Sequence, residues 1–165
     1  MMKKCIVPMG NKYTELGALA TRIMKEHYLP FIPEKIVNEG VKSMFSHESL
    51  EKSEKDGMSY YFIKENENKD VGFLAVKTVG DELFLSKFYV DKDYRKSGFG
   101  RHAISFLEEL AKNKNLKSIF CHCSKYNTGS LEAYRKLGFT QRGEYLDKVE
   151  GYQEVENVLV KPIVL

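Results

Sequence analysis

Between residues 82 and 123 the apolar pattern changes period twice, and that switch constrains the fold more than any other feature. From Glu82 to Val90, Leu83, Leu85, Lys87 and Tyr89 alternate with Phe84, Ser86, Phe88 and Val90, the two-residue period of a strand. After a polar stretch with two glycines, Phe99, Ala103, Leu107, Leu110 and Ala111 share one helical stripe that ends near Lys112. Residues 117–123 return to strand character. Strand, helix and strand in that order form a crossover, and a right-handed crossover makes the two strands parallel.

The flanking segments complete a mixed α/β pattern. Residues 3–9 read as a strand. Leu16, Leu19, Ala20, Ile23 and His27 mark a helix broken by Pro30 and Pro33. A second helix starts near Glu34 with Val37, Val41, Met44 and Phe45 on one face. Ser46 to Gly57, whose single apolar residue is Leu50, reads as a polar exposed connection with room for part of it to be helical. Met58–Lys64 and Val71–Val79 form a hairpin pattern around a polar turn. Ser130–Leu137 is a short helix ended by Gly138, and two strands follow at about 141–149 and 152–161. One domain over residues 1–165 is expected at this length.

Charge and cysteine usage narrow the class. There are 26 Lys+Arg against 23 Asp+Glu, a net charge of +3, which does not call for a nucleic-acid partner. No apolar run reaches the ~18 residues of a membrane helix, and the basic start is interrupted too soon for a signal peptide. Three cysteines, two of them one residue apart, argue for a reducing, cytoplasmic setting. Basic residues crowd the glycine stretch, whereas Glu144, Asp147, Glu150, Glu154 and Glu156 crowd the tail. Cys121-His122-Cys123 does not make a metal site, because on a strand the histidine faces away from the two cysteines. No metal is expected.

The chemistry concentrates in Arg95-Lys96-Ser97-Gly98-Phe99-Gly100, followed by Arg101. Glycines between a strand and a helix let several N–H groups converge, and the helix N-terminus adds positive potential. The pattern suits a phosphate or pyrophosphate. A P-loop is excluded, since Arg101-His102 stands where Lys-Ser/Thr is required. A dinucleotide fingerprint is disfavoured by the long interval after Val90 and by the absence of an acid in 117–123. A helix start that uses glycine for close packing stays open on these six residues alone.

A second segment, Asn127-Thr-Gly-Ser130-Leu-Glu-Ala-Tyr134-Arg-Lys-Leu-Gly138-Phe139, completes a resemblance. With the first it resembles the GNAT superfamily of acyl-CoA N-acyltransferases, and the order of elements agrees along essentially the whole chain. The resemblance implies a central twisted, mostly antiparallel sheet flanked by helices, with a splayed parallel pair at 82–90 and 117–123. It implies acetyl-CoA as cosubstrate. The pantetheine would pair with main chain near Phe88 and Val90, and the Val90 N–H would face the thioester oxygen. The pyrophosphate would rest on Arg95, Lys96, Ser97, Gly98, Phe99, Gly100 and Arg101. Asn127 would touch the pantetheine, and Tyr134 would act as the acid for the leaving sulfur.

An amine acceptor would attack the thioester directly, with no enzyme nucleophile. The carboxylate that some relatives carry on the strand before the signature is absent from Phe84-Leu85-Ser86-Lys87, so no base is assigned. Glu82, His122, a tail carboxylate or water remain open for that role. Tyr152 is expected as a wall of the acceptor site, and the acidic tail suggests a cationic acceptor such as a polyamine or aminoglycoside. Members are often homodimers. The competing class is a non-catalytic acyl-CoA-binding module of the same fold, separated from the enzyme by acceptor-dependent thiol release.

Overall fold

The structure, a computed structural model, describes residues 3–149 and 152–164, without the side chains of 147–149 and 152–154. In chain order it runs β1 (Lys4–Pro8), α1 (Tyr13–Tyr28), α2 (Glu34–Phe45), α3 (His47–Lys55), β2 (Ser59–Glu65), β3 (Lys69–Val79) and β4 (Glu82–Val90). A short 3-10 turn at Lys92–Tyr94 leads to α4 (Phe99–Asn113), β5 (Ser118–Ser124), α5 (Thr128–Lys136), β6 (Thr140–Val149) and β7 (Tyr152–Pro162). The strands form one seven-stranded sheet in the order β1-β2-β3-β4-β5-β7-β6. It is a mixed α/β fold with a mostly antiparallel sheet and one parallel pair, β4 with β5. The crossover expected from the change of period is thus present. Among the described residues no helix is long and apolar enough to cross a membrane.

The chain divides into two compact units, Met1–Lys77 with Lys87–Ala103, and Thr78–Ser86 with Ile104–Leu165. In the first, Leu16, Leu19, Ala20, Ile23 and Met24 of α1 are buried with Val37, Val41 and Phe45 of α2 and with Tyr60, Phe62, Phe73 and Ala75 of the strands. The structure settles the open segment and moves one residue. Residues 46–57 are largely helical, because Ser46 caps α3 by accepting from the Ser49 N–H at 3.2 Å and because Leu50 is fully buried. A single apolar residue suffices to anchor a two-turn helix whose other faces are solvated. Met44 is 42% exposed, so the buried stripe of α2 is Val37, Val41 and Phe45.

Two constraints in this unit fix the end of β4. Gly72 lies where a Cβ would stand 2.4 Å from the Tyr89 carbonyl oxygen and 3.1 Å from Val90 Cα. Only a residue without a side chain allows β3 to run that close. The β2–β3 register slips beside it, between Ile63 and Lys64. One residue past β4, Asp91 is 5% exposed. Its N–H donates to the Val71 carbonyl at 2.7 Å, its carboxylate accepts from the Asp93 N–H at 3.0 Å, and Arg22 of α1 pairs with it. Burial pushes its pKa up, but the Asp93 N–H and the Arg22 guanidinium outweigh that and hold it below the ordinary value.

In the second unit the parallel register runs from Glu82 with Ser118 to Leu85 with Cys121. Leu83, Leu85, Leu107, Ala111, Ile119, Cys121, Phe139 and Leu159 are buried. Lys161 of β7 ties this unit together, donating to the Leu137 carbonyl at 2.8 Å and pairing with Glu108 at 3.2 Å. Glu82 bonds the Ser118 hydroxyl and pairs with Arg142 at 2.6 Å, so these two groups engage its carboxylate.

Gly72→Ala is expected to destabilise the protein by about 1–3 kcal/mol, the cost of forcing a methyl group into a closed contact; an unchanged urea midpoint would contradict the approach of β3 to Tyr89. Asp91→Asn is expected to cost about 1–3 kcal/mol at neutral pH. Because the folded pKa is depressed, that stabilisation is complete above the ordinary carboxylate pKa of ~4 and fades as pH falls through the folded value. The gap between wild type and variant in denaturation midpoints should therefore be flat above about pH 5 and shrink below it.

Candidate active site

The glycine stretch in the first unit forms an open cradle on a fixed root. Tyr94 N–H donates to the Asp91 carbonyl at 2.9 Å, and Arg95 Nε donates to the Val90 carbonyl at 3.1 Å. The main chain turns left-handed at Lys96 (φ 60°) and again at Gly98 (φ 86°). Alternation of handedness aims neighbouring N–H groups to one side, the geometry of an anion nest. The first helical bond of α4 is His102 N–H to the Gly98 carbonyl at 3.0 Å, so the N–H groups just ahead of it precede the ladder. Arg95, Lys96, Ser97, Gly98 and Arg101 are exposed, Gly100 is half-buried, and Phe99 is 1% exposed and anchors the helix.

Two lysines and a histidine that the sequence did not associate with this loop stand beside it. A Cβ at Gly98 would lie 3.4 Å from Lys4 Cε, and the Lys4 ammonium is 5.3 Å from the Phe99 ring centroid. Lys69 lies over the Tyr94 ring at 4.9 Å, and its hydrogen bond with that tyrosine raises its pKa. His27, at the end of α1, has its pKa lowered by burial and by the positive charge of Arg95. All three are far from the loop in sequence, and no local pattern marks them. Phe88 and Val90 are half-buried on β4, beyond its last residue registered with β5. His102 is exposed at the first turn of α4.

In the second unit the Asn127–Phe139 motif is accounted for by helix capping. The Asn127 side-chain oxygen accepts from the Ser130 N–H at 3.2 Å, which starts α5. At the other end Gly138 is left-handed (φ 100°), its N–H donates to the Arg135 carbonyl at 3.0 Å, and the Phe139 N–H donates to the Tyr134 carbonyl at 3.1 Å. These are the paired bonds of a Schellman ending. The apolar contact that accompanies such an ending is Phe139 against Tyr134, edge to face at 5.3 Å between ring centroids. The spacing of Asn, Tyr, Gly and Phe therefore fixes both ends of a nine-residue helix and the ring of Tyr134 with them.

Tyr134 hydrogen-bonds the sulfur of Cys121 on β5, a contact that the sequence reading missed. Burial, more than the neighbouring Cys123, pushes the Cys121 thiol up to about 12, so it stays protonated at neutral pH. Alternation on β5 was the available signal: Cys121 and Cys123 are buried on one side, and His122 stacks on Tyr145 at 4.5 Å on the other. Among the described residues no cluster of histidine, cysteine and acidic side chains is suited to a metal ion. The side chain of Tyr152 lies outside the described residues, as do those of Asp147, Glu150 and Glu154. Glu144 is exposed and Glu156 half-buried.

Known proteins match both parts of this arrangement. The profile of the Acetyltransferase (GNAT) family matches residues 22–139. The chain is 36% identical over 74 residues to the uncharacterized protein YyaT of Bacillus subtilis, covering 45% of this chain and 48% of that protein. It is 25% identical over 89 residues to the ribosomal protein bS18-alanine N-acetyltransferase of Escherichia coli, covering 52% and 60%. The chain thus spans about half the length of the curated relatives it matches. Among solved structures, the PaiA N-acetyltransferase of Thermoplasma acidophilum in complex with coenzyme A superposes with a TM-score of 0.78 at 16% identity, over 97% of this chain and 99% of that one. The E. coli ribosomal-protein-S18-alanine N-acetyltransferase gives 0.68 at 19%, over 99% and 96%. Those likenesses concern the fold, and together with the match over residues 22–139 they make the chain a member of the GNAT acetyltransferase family.

Proposed function

We propose that the protein is an acetyl-CoA-dependent N-acetyltransferase that acts on a primary amine by direct attack in a ternary complex. The observation that carries this reading is Tyr134, a phenol held by a helix capped at both ends and bonded to a thiol that stays protonated. The coenzyme's diphosphate would rest on the N–H groups of residues 96–101, with Arg95, Lys96 and Arg101 as charge partners. Its pantetheine would pair with main chain at Phe88 and Val90 and touch Asn127. The capping bond occupies the Asn127 oxygen, which leaves its amide N–H groups as donors for that contact.

The chemistry then needs few enzyme groups. A primary amine with a pKa near ~10 arrives protonated and loses a proton, for which water is the acceptor in this reading. Its nitrogen attacks the thioester carbonyl, whose developing oxyanion faces the Val90 N–H. The C–N bond forms, the C–S bond breaks, the Tyr134 phenol gives its proton to the departing thiolate, and the second proton shed by the new amide nitrogen returns through water to the phenolate. Glu82 is an unsuitable base, since it is already bonded to Ser118 and Arg142. A cytoplasmic setting fits the reduced state of three free cysteines.

Acceptor-dependent release of free thiol from acetyl-CoA tests the reading; tight cofactor binding with no thiol release from any amine would favour a non-catalytic module. Arg95→Ala should weaken acetyl-CoA by about 1–3 kcal/mol, read by calorimetry at low and high salt, and equal affinity at both would refute the diphosphate placement. Tyr134→Phe should lower kcat by about 100-fold while sparing cofactor affinity. A Phe variant running at full rate would end the acid assignment.

A further inference from the structure

The glycine loop of the first unit is approached from the edge of the sheet by a lysine that the chemistry above does not use. Lys4 opens β1 and lies in register with Glu65 of β2. Its root is fixed, because the adjacent Lys3 donates its N–H to the Asn66 side-chain oxygen at 2.7 Å and its carbonyl accepts from the Asn66 N–H at the same distance. The half-buried stem of Lys4 runs past the bare face of Gly98, where a Cβ would stand 3.4 Å from Lys4 Cε and 3.8 Å from its ammonium nitrogen. The ammonium then rests 5.3 Å from the ring centroid of Phe99, the first residue of α4. Nearby lysines are paired, Lys3 with Glu67 and Lys64 with Asp70. Among the described residues Lys4 enters no ion pair.

That placement is electrostatically unfavourable by itself. The first turn of α4 carries no acidic residue, a helix N-terminus is its positive end, and Arg95, Lys96 and Arg101 belong to the same stretch. A cation added to such company costs free energy unless an anion joins it, and each further cation calls for more negative charge. The diphosphate brings one charge per phosphorus, and the main-chain N–H groups with Arg95, Lys96 and Arg101 already answer it. Coenzyme A carries another phosphate, a monoester on the 3′ oxygen of its ribose, which adds about two negative charges at neutral pH. Resting on the acetyltransferase reading above, we propose that Lys4 binds this 3′-phosphate and thereby makes the protein distinguish acetyl-CoA from its 3′-dephospho form. The Phe99 ring holds the ammonium at the mouth of the loop before the coenzyme arrives, which lowers the cost of ordering a long side chain. A lysine present only to cover Phe99 with its stem could be replaced by methionine without consequence, so the charge is what an experiment must isolate.

The test uses the full chain and calorimetry with coenzyme A and 3′-dephospho-coenzyme A, which differ only in that phosphate. The unaltered protein should bind coenzyme A about tenfold more tightly or better at low salt, the effect of one charge-assisted contact, and the gap should narrow as salt rises. Lys4→Met, which keeps an apolar stem against Gly98 and Phe99, should lose the preference while binding the dephospho form as before. Lys4→Arg should keep it. Arg95→Ala should weaken both coenzymes alike, because the diphosphate is common to them. Equal affinity of the unaltered protein for the two coenzymes, a preference that survives in Lys4→Met, or an equal loss of both coenzymes in that variant would overturn the assignment and leave the acetyltransferase reading standing. An unaltered protein that binds neither coenzyme would instead remove that reading, and this inference with it.

Discussion

Asp91 is a carboxylate at 5% exposure, and a charge that deep persists only where donors surround it. The donors here come from different parts of the first unit: Arg22 from the middle of α1 and the N–H of Asp93 from the following turn, while the Asp91 N–H reaches Val71 on β3. One residue thus joins a helix, a strand and a turn at the point where β4 ends. The loop that follows needs such a root. Its left-handed residues and exposed cations have little packing of their own, and an anion site works only if its N–H groups are already aimed before the ligand arrives. Gly72 complements the carboxylate by bringing β3 close to Tyr89, so that Val71 is within reach of Asp91.

What could be read in the sequence is what local geometry determines. The change of period at 82–123 leads to a parallel pair because strand alternation, helix stripe and crossover handedness are each set within a few residues. Gly138 is legible as a helix stop for the same reason, since a cap bonds to atoms three to five positions away, whereas Asn127 is read from sequence as a pantetheine contact and its cap on Ser130 emerges only from the structure. By contrast, Arg22 with Asp91, Lys4 beside Gly98 and the Tyr134–Cys121 bond join residues that only the folded chain brings together. The helix at 47–55 is only half legible, because one buried leucine gives no period to count and its decisive signal is the capping serine. Met44 was misplaced because an apolar residue on an amphipathic helix can border a cavity as well as fill a core.

Cys121 limits the chemistry open to the second unit. A thiol beside a phenol invites a covalent route in which sulfur takes the acetyl group first. The nucleophile in such a route is the thiolate, and burial that pushes the pKa up to about 12 removes it at neutral pH. The residue is better suited to fix the direction of the Tyr134 hydroxyl, together with the edge of the Phe139 ring. An oriented phenol is what the proposed donation to a departing thiolate would call for.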